Sequence, residues 1–284
     1  MKRLALTLLA LAACDDSLDQ RLGIIEAPRV LAAIAEPAEA KPGAMVSYNA
    51  VIASPDGPLA TAPSWGYCTS PKPPTEDNAA SISCVGGDAL IELGTAPTVS
   101  GTIPAEACIR FGPDVPPGGF RPRDPDASGG YYQPVRIATD DLLAIGLSRI
   151  TCNLPTAPFE AAARYRAEYV ANANPVLDPI VLDRVPATSE VTLTASWPAA
   201  TAESYLYFDA AAQILVDRRE SLRVSWFATG GTLAVDASAL AETSNATSVS
   251  TTWQTPAAGT AWIWFVLRDS RGGVAVRGVQ LTVE

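Results

Sequence analysis

The stretch TAWIWFVLRDSRGG, residues 260–273, followed by VAVRGVQLTVE, residues 274–284, decides the fold. Successive side chains of a β-strand point to opposite faces, and this run is apolar on both. The two faces carry Trp262, Trp264 and Val266 on one side and Ile263, Phe265 and Leu267 on the other. Such a strand is predicted to lie at the centre of a sheet. DSRGG at 269–273 predicts a tight turn into a final strand, in which Gly278 interrupts the alternation and predicts a β-bulge.

Four more strand-like runs stand upstream of this stretch and are separated by turn residues. They are VTLTASW (191–197), SYLYFD (204–209), LRVSWFATGG (222–231) and SVSTTWQTP (248–256). Short strands that follow one another in this way are typical of a β-sandwich. Residues 175–284 are therefore predicted to form one sandwich domain.

The first half of the chain shows the same period of two. In MVSYNAVIA, residues 45–53, Val46, Tyr48, Ala50 and Ile52 alternate with the other positions, so one face is predicted to be buried. A Lys-Pro-Gly turn precedes this run, and a Pro-Asp-Gly-Pro turn and the run SWGYC follow it. With 24 prolines and 20 glycines in 284 residues, the composition favours short strands joined by turns.

The turns and tryptophans of both halves resemble bacterial immunoglobulin-like modules. In the first half the similar features are a proline bend, a Pro-Gly turn, an Asp-Gly loop and a core tryptophan, at Pro37, Pro42–Gly43, Asp56–Gly57 and Trp65. In the second half, VSWFATGG (224–231) and TWQTPAAGTAWIWFVLRDSRGG (252–273) resemble the third, sixth and seventh strands of immunoglobulin-like or PKD-type repeats. The resemblance implies an all-β protein with two immunoglobulin-like β-sandwich domains in tandem, residues 28–174 and 175–284.

Residues 69–158 depart from a compact module of about 100 residues, because they are rich in proline and glycine and show little periodicity. We expect long loop insertions between strands there, and loops of this length need to be held in place. Four cysteines lie in or beside the region: Cys68, Cys84, Cys108 and Cys152. They allow three pairings, of which we favour Cys68 with Cys84 and Cys108 with Cys152, because each closes a local loop.

The run EAAARYRAEYVANANP, residues 160–175, supports two interpretations. Arg164 and Glu168, four residues apart, would form an ion pair on a helix. Tyr165 and Tyr169 alternate with charged residues as they would in an edge strand, and we favour the strand. The asparagines and the proline that follow predict a linker, which places the domain boundary there.

The chain opens on MKRLALTLLALAACDD, residues 1–16, in which two cations precede an apolar run, two alanines and a cysteine. This is the order of a secretory signal peptide, and the apolar run is too short to span a bilayer. Leu11–Cys14 resembles the lipobox of bacterial lipoproteins, which implies removal of residues 1–13 and acylation of Cys14. Residues 14–27 are then a lipidated start and a tether. An ordinary signal peptide that leaves the cysteine unmodified is the alternative.

Acylation of Cys14 would leave four of the five cysteines, an even number suited to disulfides outside the cytoplasm. The predicted location is the cell envelope, where the lipid anchors the protein to a bacterial membrane. The outer membrane or the cell surface is favoured. Asp15, however, resembles the enterobacterial signal that retains lipoproteins at the inner membrane.

Charge and composition exclude several classes of function. The net charge of −10 becomes −12 when residues 1–13 are removed, so nucleic acid is not an expected partner. The chain contains no histidine, which excludes Ser-His-Asp triads, Cys-His dyads and imidazole metal sites. Its cysteines form no C-x-x-C pair, and it has no phosphate-binding GxxxxGK motif. We therefore expect no catalytic residue, no metal and no cofactor.

Three further features bear on function. DPDASGG, residues 124–130, matches the opening of a calcium-binding loop, but Val135 stands where an EF-hand has its glutamate. Asp114 and Asp140–Asp141 are candidates for the paired carboxylates of a glycosidase. Tyr131–Tyr132 would either stack on a sugar or partner, or lie in the core.

The predicted function is that of a membrane-anchored structural, adhesive or protein- or carbohydrate-binding module. The expected partners are the membrane, through the lipid, and a protein or glycan. One alternative is an accessory subunit of an envelope assembly. The other, less favoured, is a carboxylate-based hydrolase in the first domain.

Overall fold

The computed structural model describes residues 22–72, 80–114, 130–155, 157–209 and 211–284. The strands of the first domain are β1 (Arg29–Glu36), β2 (Glu39–Ala40), β3 (Met45–Ser54), β4 (Gly57–Pro58), β5 (Ser64–Cys68), β6 (Leu90–Thr95), β7 (Thr98–Thr102), β8 (Tyr131–Ala138) and β9 (Leu143–Ile150). Those of the second domain are β10 (Arg184–Val185), β11 (Glu190–Ser196), β12 (Ser204–Asp209), β13 (Ile214–Arg219), β14 (Leu222–Ala228), β15 (Thr232–Leu233), β16 (Ala237–Leu240), β17 (Ser248–Gln254), β18 (Gly259–Asp269) and β19 (Val274–Val283). The helices are α1 (Ile82–Gly86), α2 (Ala107–Arg110) and α3 (Phe159–Glu168), with a 3-10 turn at Ala199–Thr201.

The first domain is a sandwich of two sheets. In one sheet β3 pairs with β1 along one edge and with β7 and β4 along the other. The other sheet has the order β2-β9-β8-β5-β6, in which β2 and β9 are parallel and the other neighbours antiparallel. A cis peptide bond precedes Pro37, where the chain passes from β1 to β2.

The five-stranded sheet of the first domain has a counterpart of the same order in the second domain. Its larger sheet is β10-β19-β18-β14-β16, again with a parallel pair, β10 and β19, at one edge. The facing sheet is β11-β17-β15, and β12 and β13 form a separate hairpin. Two facing sheets with these strand orders make both domains immunoglobulin-like β-sandwiches. The fold is all-β, as the strand and turn pattern predicts, and β18 lies between β19 and β14.

Each sandwich encloses its own core around a tryptophan on the equivalent strand. Trp65 of β5 is 1% exposed, and its indole N–H donates to Ala96 O at 2.8 Å. Trp226 of β14 is fully buried, and its indole N–H donates to Ser238 Oγ at 3.0 Å. Buried indoles need such partners, because an unpaired donor inside a protein is costly.

Two disulfides lie in the first domain, one between Cys68 and Cys84 and one between Cys108 and Cys152. This is the pairing favoured from the sequence. The first joins the end of β5 to α1, and the second joins α2 to the chain beyond β9. The expected insertions over residues 69–158 are shorter than predicted, because strands β6 to β9 lie within that range.

The two domains pack against each other through the outer faces of their sheets. The interdomain apolar cluster consists of Ile25, Leu31, Ala32, Ala53, Trp264, Val266 and Val274. The sheet of β1 and β3 is therefore covered on both faces, by its own domain and by the second domain. At Gly57 an added Cβ would lie 2.5 Å from Trp262 Nε1, so the Asp-Gly turn contacts the second domain directly. Both faces of β18 are apolar because one faces its own core and the other this interface.

The run that begins at residue 160 is a helix, so the predicted edge strand is wrong. Helix α3 carries the Arg164–Glu168 ion pair at 2.8 Å. Tyr165 and Tyr169 stack with their ring centroids 4.4 Å apart. Their spacing of four residues puts them on one helical side, which a two-residue alternation also fits. No helix within the described ranges is long and apolar enough to cross a membrane.

Gly278 does not form a bulge, so that prediction is also wrong. The register of β18 and β19 is unbroken, and Trp264 lies opposite Gly278. A Cβ at Gly278 would lie 2.9 Å from the Trp264 ring. The apolar residues change from one face of β19 to the other near Gly278. Val274, before it, faces the first domain, whereas Leu281, after it, faces the core of the second domain.

The N-terminal segment, residues 23–25, is not part of a free tether as predicted. Ile24 forms a parallel bridge with Ala228, and Ile25 N donates to Ala228 O at 2.9 Å. Ile25 is 1% exposed because it belongs to the interdomain apolar cluster. Burial of an isoleucine side chain contributes roughly 1.5–3 kcal/mol, enough to hold the segment on the second domain.

Candidate functional site

The interface between the domains contains charged side chains that are almost completely buried. Glu39, Arg149, Glu220 and Arg271 each expose 3% or less of their surface. Charged residues are rarely buried to this extent unless they are paired. The interdomain polar network, our candidate site, consists of Glu39, Tyr132, Arg149, Thr151, Tyr169, Asn172, Glu203, Glu220, Asp269 and Arg271.

Glu39 of β2 is the acceptor at the centre of the first-domain part. Its Oε2 accepts hydrogen bonds from Arg149 Nε at 3.1 Å and from the backbone N–H of Asn172 at 2.9 Å. Thr151 Oγ1 donates to Oε1 at 2.8 Å, and Tyr169 O–H contacts both carboxylate oxygens at 2.7 and 2.9 Å. The Glu39 carboxylate thus connects β2 and β9 to the segment after α3 that leads to the second domain.

Arg271, in the turn between β18 and β19, is the corresponding donor in the second domain. Its Nε donates to Glu220 Oε1 and its Nη2 to Glu203 Oε2, both at 2.7 Å. Its Nη1 donates to Val170 O at 3.1 Å and lies 4.0 Å from Glu39 Oε2. The guanidinium therefore joins both domains and the segment between them.

Asp269 shapes the turn that carries Arg271. Its Oδ1 accepts from the backbone N–H groups of Arg271 and Gly273, both at 2.8 Å. Asn172 Nδ2 donates to both carboxylate oxygens at 3.3 Å. At Gly273 a Cβ would lie 2.1 Å from Asp269 Oδ2, so only glycine allows this close approach. The DSRGG turn predicted from the sequence is thus the part of the second domain that enters the network.

The network contains more carboxylates than guanidinium groups. Burial, together with the charge of Asp269, raises the pKa of Glu220 to about 7, although Arg271 acts in the opposite direction. Burial also raises the pKa of Asp269. Proton uptake by these carboxylates brings the network closer to charge balance, which is favourable where solvent is excluded.

The geometry suits a structural role better than a catalytic one. The Arg149 and Arg271 guanidinium groups donate to partners within the protein, and the carboxylates are occupied by these donors. In the part of the chain that the structure describes, no group of three metal-binding side chains occurs. The network fixes the position of one domain relative to the other.

A cleft of about 500 Å³ opens beside the network, between β1, β9 and the turn after β18. Its walls are mainly apolar and come from Val30–Ala33 and Ala144–Leu147. Tyr132 and Asp269 belong to both the cleft and the network. We call this space the interdomain cleft.

The structure separates the carboxylates that the sequence offered for glycoside hydrolysis. The backbone N–H of Asp114 donates to Cys108 O, and the Cys108–Cys152 disulfide lies near the Tyr131 end of β8. Asp140–Asp141 follow the opposite end of that strand. Eight strand residues span about 26 Å, whereas paired glycosidase carboxylates lie roughly 5–10 Å apart. These acids do not converge on one site.

Tyr131 and Tyr132 begin β8 and do not form an exposed loop. Tyr131 packs against the first core, and Tyr132 O–H accepts a hydrogen bond from Arg149 Nη1 at 3.2 Å. Of the two roles offered by the sequence, the structure thus favours the internal one. Cys14 and residues 124–129 of the calcium-like loop lie outside the described residues.

The sequence pattern did not reveal that Glu39, Arg149 and Glu220 are buried together in one network. Arg149 and Glu39 stand in short strands without a motif, and they are 110 positions apart. The one local feature of the sequence that accompanies the network is glycine beside its large side chains, at Gly130 and Gly272. A Cβ at Gly130 would lie 2.1 Å from the Arg149 guanidinium, and one at Gly272 would lie 3.0 Å from the Tyr132 ring.

No protein-family model matches the chain, and no curated protein matches it. It is similar to solved structures of Escherichia coli alpha-2-macroglobulin activated by porcine elastase (13% identity, TM-score 0.23, covering 91% of this chain and 22% of that one). It is also similar to the D0-D1 domain of intimin (11% identity, TM-score 0.23, 89% and 98%) and to the Yersinia pseudotuberculosis adhesin InvE (10% identity, TM-score 0.24, 89% and 58%). The chain spans about a fifth of the length of that alpha-2-macroglobulin. The immunoglobulin-like fold of both domains is seen in their strand order.

Proposed function

We propose that this chain is a lipid-anchored protein of a bacterial envelope that serves as a structural or adhesive module. The observation that carries the proposal is the interface, where two immunoglobulin-like sandwiches share an apolar cluster and are joined by buried polar contacts of Arg271 and Asn172. Two domains joined in this way present their outer surfaces in a fixed arrangement. A fixed arrangement suits a support or a binding surface.

The buried charges support this interpretation. A buried ion pair adds little net stability, because desolvation offsets much of the attraction. It does penalise any arrangement in which one partner loses the other, and removal of a single partner costs about 3–5 kcal/mol. Arg271 lies 4.0 Å from Glu39 and donates to Val170 O, and Asn172 donates to Asp269. These contacts cross between the domains and would thus disfavour other relative positions.

The anchor and the partners follow from the sequence. The lipobox-like Leu11–Cys14 supports acylation at Cys14, and two or more acyl chains hold a soluble domain on a membrane. The acidic net charge of −10 argues against nucleic acid, so a protein or glycan is the proposed partner. An accessory subunit of an envelope assembly would use the same surfaces.

Cell fractionation with protease treatment of intact cells tests the proposal. The wild-type chain is expected in the membrane fraction, and a Cys14→Ala variant is expected to lose that attachment. Cleavage by external protease indicates the cell surface, and protection indicates the periplasm. A wild-type chain found only in the soluble fraction contradicts the anchored role, and recovery within a larger crosslinked complex favours the accessory subunit.

A further inference from the structure

The interdomain cleft has the size and lining of a small-molecule site. Pockets that hold small ligands have volumes of about 300–1,000 Å³ and mostly apolar walls, and the cleft falls within this range at about 500 Å³. Ile137, Ile145 and Val274 contribute apolar surface from both domains.

One arginine lines this cleft, and a second lies beside it on the neighbouring strand. Arg268 of β18 lines it, and Arg223 of β14 lies directly across the strand pair, on the same face of the sheet. Like charges directly opposite each other destabilise a sheet. Burial, together with the charge of Arg223, lowers the pKa of Arg268. The pair is thus electrostatically unfavourable in the protein as it stands.

Neither arginine is neutralised by the described part of the chain. Arg268 Nη2 donates to Leu31 O at 2.6 Å, where the register of β1 with β3 shifts. Among the described residues, no carboxylate forms an ion pair with Arg268 or Arg223. A guanidinium has five N–H donors, and this contact uses one of them. Donors of Arg268 therefore remain available to a ligand.

Asp269 does not cancel this positive charge. Successive strand residues face opposite sides, so its side chain leaves β18 away from that of Arg268. Its carboxylate is already held by the backbone of Arg271 and Gly273 and by the Asn172 amide.

From this juxtaposition we propose that the interdomain cleft binds an amphipathic carboxylate of the fatty-acid type. The carboxylate accepts hydrogen bonds from Arg268, and Arg223 adds a second positive charge nearby. The hydrocarbon chain lies against the apolar walls that Val30–Ala33 and Ala144–Leu147 form. Arginine suits this role, because its planar fork binds a carboxylate through two parallel hydrogen bonds. This binding function is independent of the proposed envelope role.

Titration calorimetry with dodecanoate tests the proposal on the full chain carrying Cys14→Ser, which removes the predicted acylation site. We expect saturable binding with one site per chain. Dodecanol, which lacks the charge, and acetate, which lacks the chain, are both expected to bind at least about tenfold more weakly. Absence of saturable dodecanoate binding overturns the proposal, and so does equal affinity for dodecanol. Binding of inorganic phosphate in place of dodecanoate overturns it as well.

Two leucines of β9 provide a matched pair of variants. Leu147 and Leu143 are each 49% exposed, but only Leu147 lines the cleft. Leu147→Glu places a carboxylate in the cleft and is expected to weaken dodecanoate binding about tenfold, whereas Leu143→Glu leaves it unchanged. Arg223→Gln, at an exposed position, is expected to weaken it severalfold. Equal effects of the two leucine variants, with the fold retained by circular dichroism, place the ligand elsewhere and refute the cleft.

Discussion

The Glu220→Gln substitution is expected to remove most of the pH dependence of folding stability between about pH 5 and pH 8. Glu220 is 2% exposed and accepts hydrogen bonds from Arg271 Nε and from the backbone of Glu203. Its pKa rises from 4.5 in the unfolded chain to about 7 in the fold, so the native state holds a proton that the unfolded state has released. Stability from this group is present at low pH and is lost as the pH rises through 7.

The magnitude follows from the two pKa values. The full contribution is roughly 3 kcal/mol, and about 2.5 kcal/mol of it disappears between pH 5 and pH 8. The chain contains no histidine, so no side chain with an ordinary pKa changes its charge near the middle of this interval. Asp269, whose pKa burial also raises, acts in the same direction.

Urea unfolding at several pH values measures the effect, with disulfides intact. Wild type is expected to lose stability as the pH rises, and Glu220→Gln is expected to show a nearly flat profile. Glu242→Gln is the control, because Glu242 pairs with Arg218 at a half-exposed site outside the interdomain polar network. A wild-type profile that rises with pH, or parallel profiles for wild type and Glu220→Gln, would refute the reasoning.

Three further substitutions test the interface by chemical unfolding. Trp264→Ala is expected to lower the free energy of unfolding by about 3–5 kcal/mol, because it leaves a cavity in the interdomain apolar cluster. Met45→Ala, at a 62% exposed position, should change it little. Equal losses for the two variants would contradict the packing of Trp264 at the interface. Gly278→Val is expected to cost about 1–3 kcal/mol through contact with the Trp264 ring, and an unchanged midpoint would show that the ring has room to move. Arg149→Met is expected to cost about 3–5 kcal/mol, because it removes the closest positive charge from the buried Glu39 carboxylate. Adding Glu39→Gln should restore part of this loss, and additive losses would argue against their pairing.

The sandwich strands could be predicted because burial of one face imposes a period of two. Val46, Tyr48 and Ile52 lie on the buried side of β3 as the alternation requires. Helix α3 was missed for a related reason. Tyr165 and Tyr169 are four residues apart, and this spacing fits both a helix and a strand.

The interface was present in the sequence without being recognised as an interface. Residues 262–267 are apolar on both faces, which indicates a central strand but does not identify what covers the second face. The interdomain polar network left a weaker signal. Its members come from separate segments, such as Glu39 and Glu220, and only the tertiary fold brings them together. Polar networks of this kind have no local period to detect.

The pairing of residues 23–25 with Ala228 determines how mechanical tension would travel through the protein. Acylation at Cys14 would make this pairing the point where a pull from the membrane enters the fold. Ile24 runs parallel to β14, so the pull would act along the strand. It would load two hydrogen bonds together, from Ile25 N to Ala228 O and from Ala228 N to Gly23 O, each 2.9 Å long. Ile25 is buried where the two domains meet. Tension on such an anchor would thus be shared by both domains before it reached a partner bound farther out.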